Sequence, residues 1–95
     1  MTGPTLKVLG EFCSRPTDLI SGIEISRSTG LASGTLYPIL FRLEGAGWLV
    51  SEWEGVEPTQ AKRPRRRLYR ITALGETKAR ASFRELLPRM PEFAL

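Results

Sequence analysis

Lys62-Arg63-Pro64-Arg65-Arg66-Arg67-Leu68-Tyr69-Arg70-Ile71 joins a block of cations directly to a run of strand-like composition. Leu68, Tyr69 and Ile71 suit a pleated, half-buried surface. Upstream, Trp48-Leu49-Val50-Ser51-Glu52-Trp53-Glu54 has the same character and supplies an antiparallel mate. Between the two runs, Gly55 to Arg67 is too long for a tight turn and rich in polar residues and proline, so it reads as a loop that is mobile without a ligand. A dense positive charge therefore stands at the mouth of a hairpin.

Helical spacing dominates the chain before this hairpin. Leu36, Ile39, Leu40 and Leu43 fall at i, i+3, i+4 and i+7, which lines one face of a helix ending near Ala46-Gly47. Ser33 is the expected N-cap, and Pro38 is expected to mark the beginning of this helix, where a missing N–H costs little. At 100° per residue, Gly34, Pro38, Phe41 and Gly45 lie opposite the apolar stripe, leaving an outer face that is small, flat and almost uncharged. Further upstream, Leu6, Leu9 and Cys13, with Val8 and Phe12 beside them, predict a first helix from about Pro4-Thr5 to Arg15-Pro16. A second helix is expected from a Thr17 or Asp18 cap to about Ser28, with Leu19, Ile20 and Ile23 facing inward. Gly30 then ends it in the left-handed conformation. After the hairpin, Thr72 is the expected cap of a last helix running to about Leu87, before Pro88 and Pro91 end regular structure.

Composition narrows the function. Ninety-five residues allow one domain, residues 1–95, and leave stability modest unless a partner adds more. The chain has no histidine, one cysteine and one aspartate, so neither a zinc site nor a nucleophile-base pair can be assembled from the strong ligand types. No enzyme activity, cofactor or metal is expected. A lone Cys13 cannot form an internal disulfide and fits core packing in a reducing compartment. No apolar run is long enough to span a bilayer, and Met1-Thr2-Gly3-Pro4 has no signal-peptide character, so a cytoplasmic location is expected. The net charge of +4, concentrated rather than spread, suits a polyanionic partner.

The expected order is helix, helix, helix, strand, loop, strand, helix: a mostly α fold with a small β-hairpin, the winged helix-turn-helix. Gly34-Thr35-Leu36-Tyr37-Pro38, then Gly47-Trp48-Leu49-Val50, then Tyr69-Arg70-Ile71-Thr72 with Gly75 three residues on, resembles the PadR-type winged-helix regulators over roughly residues 6 to 80. The resemblance implies a recognition helix opening at Gly34-Thr35, a basic wing, and a homodimeric transcription factor, usually a repressor, on near-palindromic operator DNA. It also implies release by a small aromatic or drug-like effector. Two departures stand out. Gly22-Ile23-Glu24-Ile25 has isoleucine where relatives often carry tyrosine, and the C-terminal segment is shorter than the dimerisation arm of many relatives.

On this reading Lys62, Arg63, Arg65, Arg66 and Arg67 neutralise phosphates from the wing. Ser33, Gly34 and Thr35 present a helix N-terminus to phosphate or base edges, and Arg42 reaches a guanine edge or a phosphate. Tyr37 offers its hydroxyl to a phosphate while its ring rests on the second helix. Arg27, Ser28 and Thr29 of the turn are further phosphate contacts. Phe41 either meets a thymine methyl or packs under the second helix. Trp48 and Trp53 either pack the hairpin or stack a planar effector. Residues 72–95 are expected to contribute to dimerisation, Ala79, Phe83, Leu86 and Leu87 either meeting a partner together with Leu6 and Leu9 or merely finishing the monomer's own core. The alternatives are a winged-helix module that binds another protein, or a small-molecule-sensing adaptor.

Overall fold

Thr2 opens the first helix: its hydroxyl accepts the Thr5 N–H at 3.3 Å, and α1 spans Gly3–Ser14. The computed structural model describes residues 2–55 and 58–86. The inner face of α1 is Thr5, Val8, Leu9 and Phe12, whereas Leu6 and Cys13 sit half-buried at its edges, so the buried stripe is rotated from the one expected. Burial pushes the Cys13 thiol up from its ordinary pKa. It is correspondingly poor in thiolate.

The second helix begins later than its sequence predicts. Ile20–Ser21 form a short strand, β1, and α2 spans Gly22–Thr29. The cap is Ser21, whose hydroxyl accepts the Glu24 N–H at 3.2 Å, rather than Thr17 or Asp18. Two residues are too few to show a period of two, and burial decides the matter: Ile20 is wholly enclosed, while Leu19 and Ile23 each remain 39% exposed. Ile25 carries the inner face of α2. Gly30 closes the helix at φ 74°, the left-handed conformation foreseen for it.

The third helix, α3, spans Ser33–Gly45 and buries Leu36, Ile39, Leu40 and Leu43 as its spacing predicts. Its N-cap is Ala32, with no side-chain cap bond, so Ser33 is the first helical residue rather than the cap. Pro38 lies inside the helix. It forgoes the bond its N–H would make to the Gly34 carbonyl, a single loss that burial of the four-residue stripe outweighs. Gly47 at φ 80° ends α3 as a Schellman turn, with the Trp48 N–H on the Leu43 carbonyl (2.9 Å) and the Gly47 N–H on Glu44 (3.0 Å).

Strand β2 (Leu49–Trp53) pairs antiparallel with β3 (Arg67–Ile71), from Leu49 opposite Ile71 to Trp53 opposite Arg67. β1 adds on the far side of β3, giving the order β1-β3-β2. Thus the sheet has three strands where two are legible in the sequence. The wing between β2 and β3 contains a four-residue helix, α4 (Pro58–Ala61), where an irregular loop is expected. The last helix, α5, spans Ala73–Leu86. Thr72 caps it, accepting the Gly75 N–H at 3.0 Å and donating to the Gly47 carbonyl at 2.7 Å. Gly75 lies against the Trp48 backbone, where an added Cβ would be 2.8 Å from the carbonyl carbon and nearer still to its oxygen. The spacing Thr72-x-x-Gly75 therefore locks the hairpin onto α5.

Val8, Leu9, Phe12, Ile20, Ile25, Leu36, Leu40, Leu49 and Ala79 are fully enclosed in one core. Leu9 and Ala79 consequently finish the monomer's own core, the second of the two expectations, and are not free for a two-fold contact. Phe83 packs against the same core from α5, and Leu87 lies outside the described residues. Trp48 also packs against this core, whereas Trp53 is 59% exposed at the other end of β2. No helix among the described residues is long and apolar enough to cross a membrane.

Candidate nucleic-acid interface

The outward face of α3 is open. Ser33, Gly34, Thr35, Pro38, Phe41 and Arg42 are all exposed, and Tyr37 is 43% exposed. The Tyr37 ring rests on α2 as expected: a Cβ on Gly22 would come within 2.5 Å of its hydroxyl oxygen. A side chain at position 22 would displace this ring, which accounts for glycine at the start of α2. In the preceding turn Arg27 and Ser28 are exposed. Thr29 is occupied locally, donating to the Ile25 carbonyl at 2.6 Å and accepting the Leu31 N–H at 3.3 Å.

The wing root comes to the same side. Ser21, Gly22, Ile23 and Tyr37 share with Arg63, Pro64, Arg65, Arg66 and Arg67 the lining of one cavity of about 330 Å³. The start of α2, the third-helix tyrosine and the wing cations thus enclose a single concave, positively charged surface. Such a surface favours an anion, because guanidinium groups and the amide end of a helix add in the same direction.

The five wing cations are not equivalent. Lys62, at φ 56°, and Arg65 are exposed. Arg63 is held by Glu54 through both carboxylate oxygens, with Nη2 donating to Oε2 at 3.3 Å. The same carboxylate accepts the Arg66 N–H at 2.9 Å, and the Arg66 carbonyl accepts the Glu54 N–H at 2.9 Å. Hydrogen bonding from Arg63, and then from the Arg66 backbone, holds the Glu54 carboxyl below the usual carboxylate range. Glu54 therefore stays ionised and fixes the wing base, which the sequence leaves mobile.

Arg67 is also engaged. Its Nε donates to the Ser51 hydroxyl at 2.9 Å, its guanidinium lies 5.0 Å from the Trp53 ring centroid, and Ser51 in turn donates to Glu44 at the end of α3. Arg66 is half-buried, and its Nε has no hydrogen-bond partner among the described residues. Arg63 and Arg67 shape the wing through Glu54, Ser51 and Trp53. The organising roles of Glu54 and Ser51 escape a reading that follows only the cations; the signal available is a single acid closing β2 opposite an arginine run.

Among the described residues no group of His, Cys, Asp or Glu is placed to hold a metal ion. Trp48 and Trp53 belong to different surroundings, one core-packed and one stacked on Arg67, and do not form a shared aromatic slot.

Several solved structures share this fold. A PadR-like transcription factor from Bacteroides fragilis is 28% identical, with TM-score 0.70 over 95% of this chain and 88% of that one. MepR of Staphylococcus aureus in complex with DNA is 17% identical, with TM-score 0.70 over 95% of this chain and 67% of its own. MarR of Escherichia coli in its apo form is 20% identical, with TM-score 0.68 over 85% of this chain and 54% of its own. The chain thus spans 54 to 67% of the MepR and MarR chains it matches. By sequence, no curated protein matches significantly. The model of the transcriptional regulator PadR-like family matches residues 15–81, which run from the end of α1 through the wing into α5. With most of its length so matched, and with the Gly34-Thr35-Leu36-Tyr37-Pro38 and Thr72-x-x-Gly75 blocks in their structural places, the chain belongs to the PadR-like family of transcriptional regulators.

Proposed function

We propose that the protein is a sequence-specific DNA-binding regulator that works as a homodimer, represses from a near-palindromic operator, and places α3 in the major groove. The observation that carries this reading is the cavity shared by Tyr37, the start of α2 and residues 63–67, because it brings wing cations together with a half-exposed side chain of α3. Family membership and the fold shared with DNA-bound MepR support the same reading. Lys62, Arg65 and Arg66 supply phosphate contacts from the wing, joined by Arg27, Ser28 and the Tyr37 hydroxyl, and these set affinity. Ser33, Gly34, Thr35 and Arg42 stand at the base edges and set sequence. The two-fold contact uses the half-buried apolar margin of α1 and α5 at Leu6, Phe83 and Leu86.

Selection of bound sites from random duplex DNA tests the reading. A symmetric dimer should enrich two inverted half-sites about 10 bp apart. Thr35→Ala or Arg42→Ala should change which half-site is enriched, with a discrimination change of about 1–3 kcal/mol at the affected base pair. Enrichment of no sequence, or the same sequence from both variants and the wild type, would reject the assignment of α3 as the reader.

A further inference from the structure

Phe41 is 78% exposed, the most exposed large hydrophobic side chain among the described residues. It stands at the centre of the α3 face opposite Leu36, Ile39, Leu40 and Leu43, so nothing in the monomer core uses it. Around it the face is bare. A Cβ added to Gly34 or Gly45 would meet nothing within 4 Å, and neither glycine has a positive φ. Fold and backbone conformation therefore require glycine at neither position, although glycine weakens a helix. Between them Pro38 is also exposed. The outcome is a surface about 17 Å long with one bulky apolar projection between two small ends.

Charge identifies what this surface fits. Glu44 is the sole carboxylate of α3, and it is turned to the hairpin, where Ser51 bonds it and Arg67 lies at 4.0 Å. Arg42, the next residue, is exposed, and Tyr37, one turn back on the same helix, shares a cavity with Arg63, Arg65, Arg66 and Arg67. An uncharged apolar ridge within a cationic surround complements a polyanion that presents apolar groups in a groove wide enough for a helix. The DNA major groove does so, and its apolar group is the C5-methyl of thymine.

We propose that Phe41 is a specificity-determining residue that reads thymine methyl groups in each half-site. The small residues at positions 34 and 45 let α3 sit deep enough for the ring to arrive. This proposal rests on the DNA-binding reading above and adds a base preference to it.

Substituting deoxyuridine for thymine, one position at a time, in a duplex selected by the wild-type protein removes the methyl and leaves base pairing intact. The wild type should lose about fourfold in affinity for each methyl contacted, at one or two positions per half-site. Phe41→Ala should bind the thymine and deoxyuridine duplexes equally while keeping the wild-type salt dependence. Its fold should be unchanged, as position 41 is on the surface. If wild-type protein binds its selected duplex but is indifferent to every methyl, or Phe41→Ala retains the thymine preference, the assignment of Phe41 is overturned and DNA binding stands. A lower oligomeric mass of Phe41→Ala, with its thymine preference intact, would assign the ring to a protein contact and overturn the proposal. Failure of the wild type to bind any duplex overturns the DNA reading itself, and the proposal with it.

Discussion

Arg65→Gln combined with Arg66→Gln should lower affinity for operator and unrelated duplex alike, by roughly tenfold to a hundredfold at 150 mM salt. Each phosphate contact releases condensed counterions, so losing two per protomer should flatten the slope of log affinity against log salt by about 1.8 for each protomer bound. The effect should be uniform across sequences, since phosphates carry no base identity. Arg63→Gln should act differently. Its guanidinium is occupied by Glu54, and removing it loosens the Glu54 to Arg66 connection at the wing base rather than deleting an outward charge. Fluorescence anisotropy over a salt series on both duplexes distinguishes these outcomes. An unchanged salt slope in the Arg65/Arg66 variant would exclude the wing as the phosphate grip.

The second large effect concerns Gly75. Gly75→Ala places a methyl against the Trp48 carbonyl, which belongs to the backbone and cannot swing aside as a side chain would. The Thr72 N–H bonds that same carbonyl at 2.9 Å, so relieving the clash disturbs the cap of α5 and the entry to β2 together. A loss of about 3 kcal/mol is expected, which corresponds to a melting temperature lower by roughly 12–24 °C for a domain of this size. Gly10→Ala is the comparison, because its Cβ would meet nothing within 4 Å inside α1. That change should stabilise by about 0.5–1 kcal/mol. Equal melting temperatures for the two variants would show that the Gly75 contact does not constrain the fold.

Particular elements show what the sequence carried and what it did not. The α3 stripe was fully legible, because Leu36, Ile39, Leu40 and Leu43 repeat over two turns and all four are buried. The β2–β3 pairing was legible from the strand-like composition of both runs, with the bounds shifted by one residue at three ends. β1 was not, since Ile20 and Ser21 are too short to display alternation and lie in a run that reads equally well as the start of a helix. Ala32 rather than Ser33 caps α3, a reminder that a hydroxyl in the right neighbourhood need not make the bond. In the wing, the charge density drew attention to the loop but not to the contacts that organise it. Those contacts join Glu54, Ser51 and Trp53 to Arg63 and Arg67 across the hairpin, between residues up to sixteen apart, and no local pattern encodes them. The expected two-fold contact was similarly blurred, because apolar spacing on α5 does not say which side chains the monomer itself encloses. Ala79 is one that it does.

The central claim is that α3 and the wing meet one duplex together. Titrating the isotopically labelled protein with a duplex that carries its selected site, and following backbone amide shifts by NMR, tests this residue by residue. The largest changes should fall on Ser33 to Arg42, on the Gly22 and Ile23 amides, and on Lys62 to Arg67, all within the same titration. Changes confined to the wing with α3 silent, or centred on the outer face of α5, would contradict it.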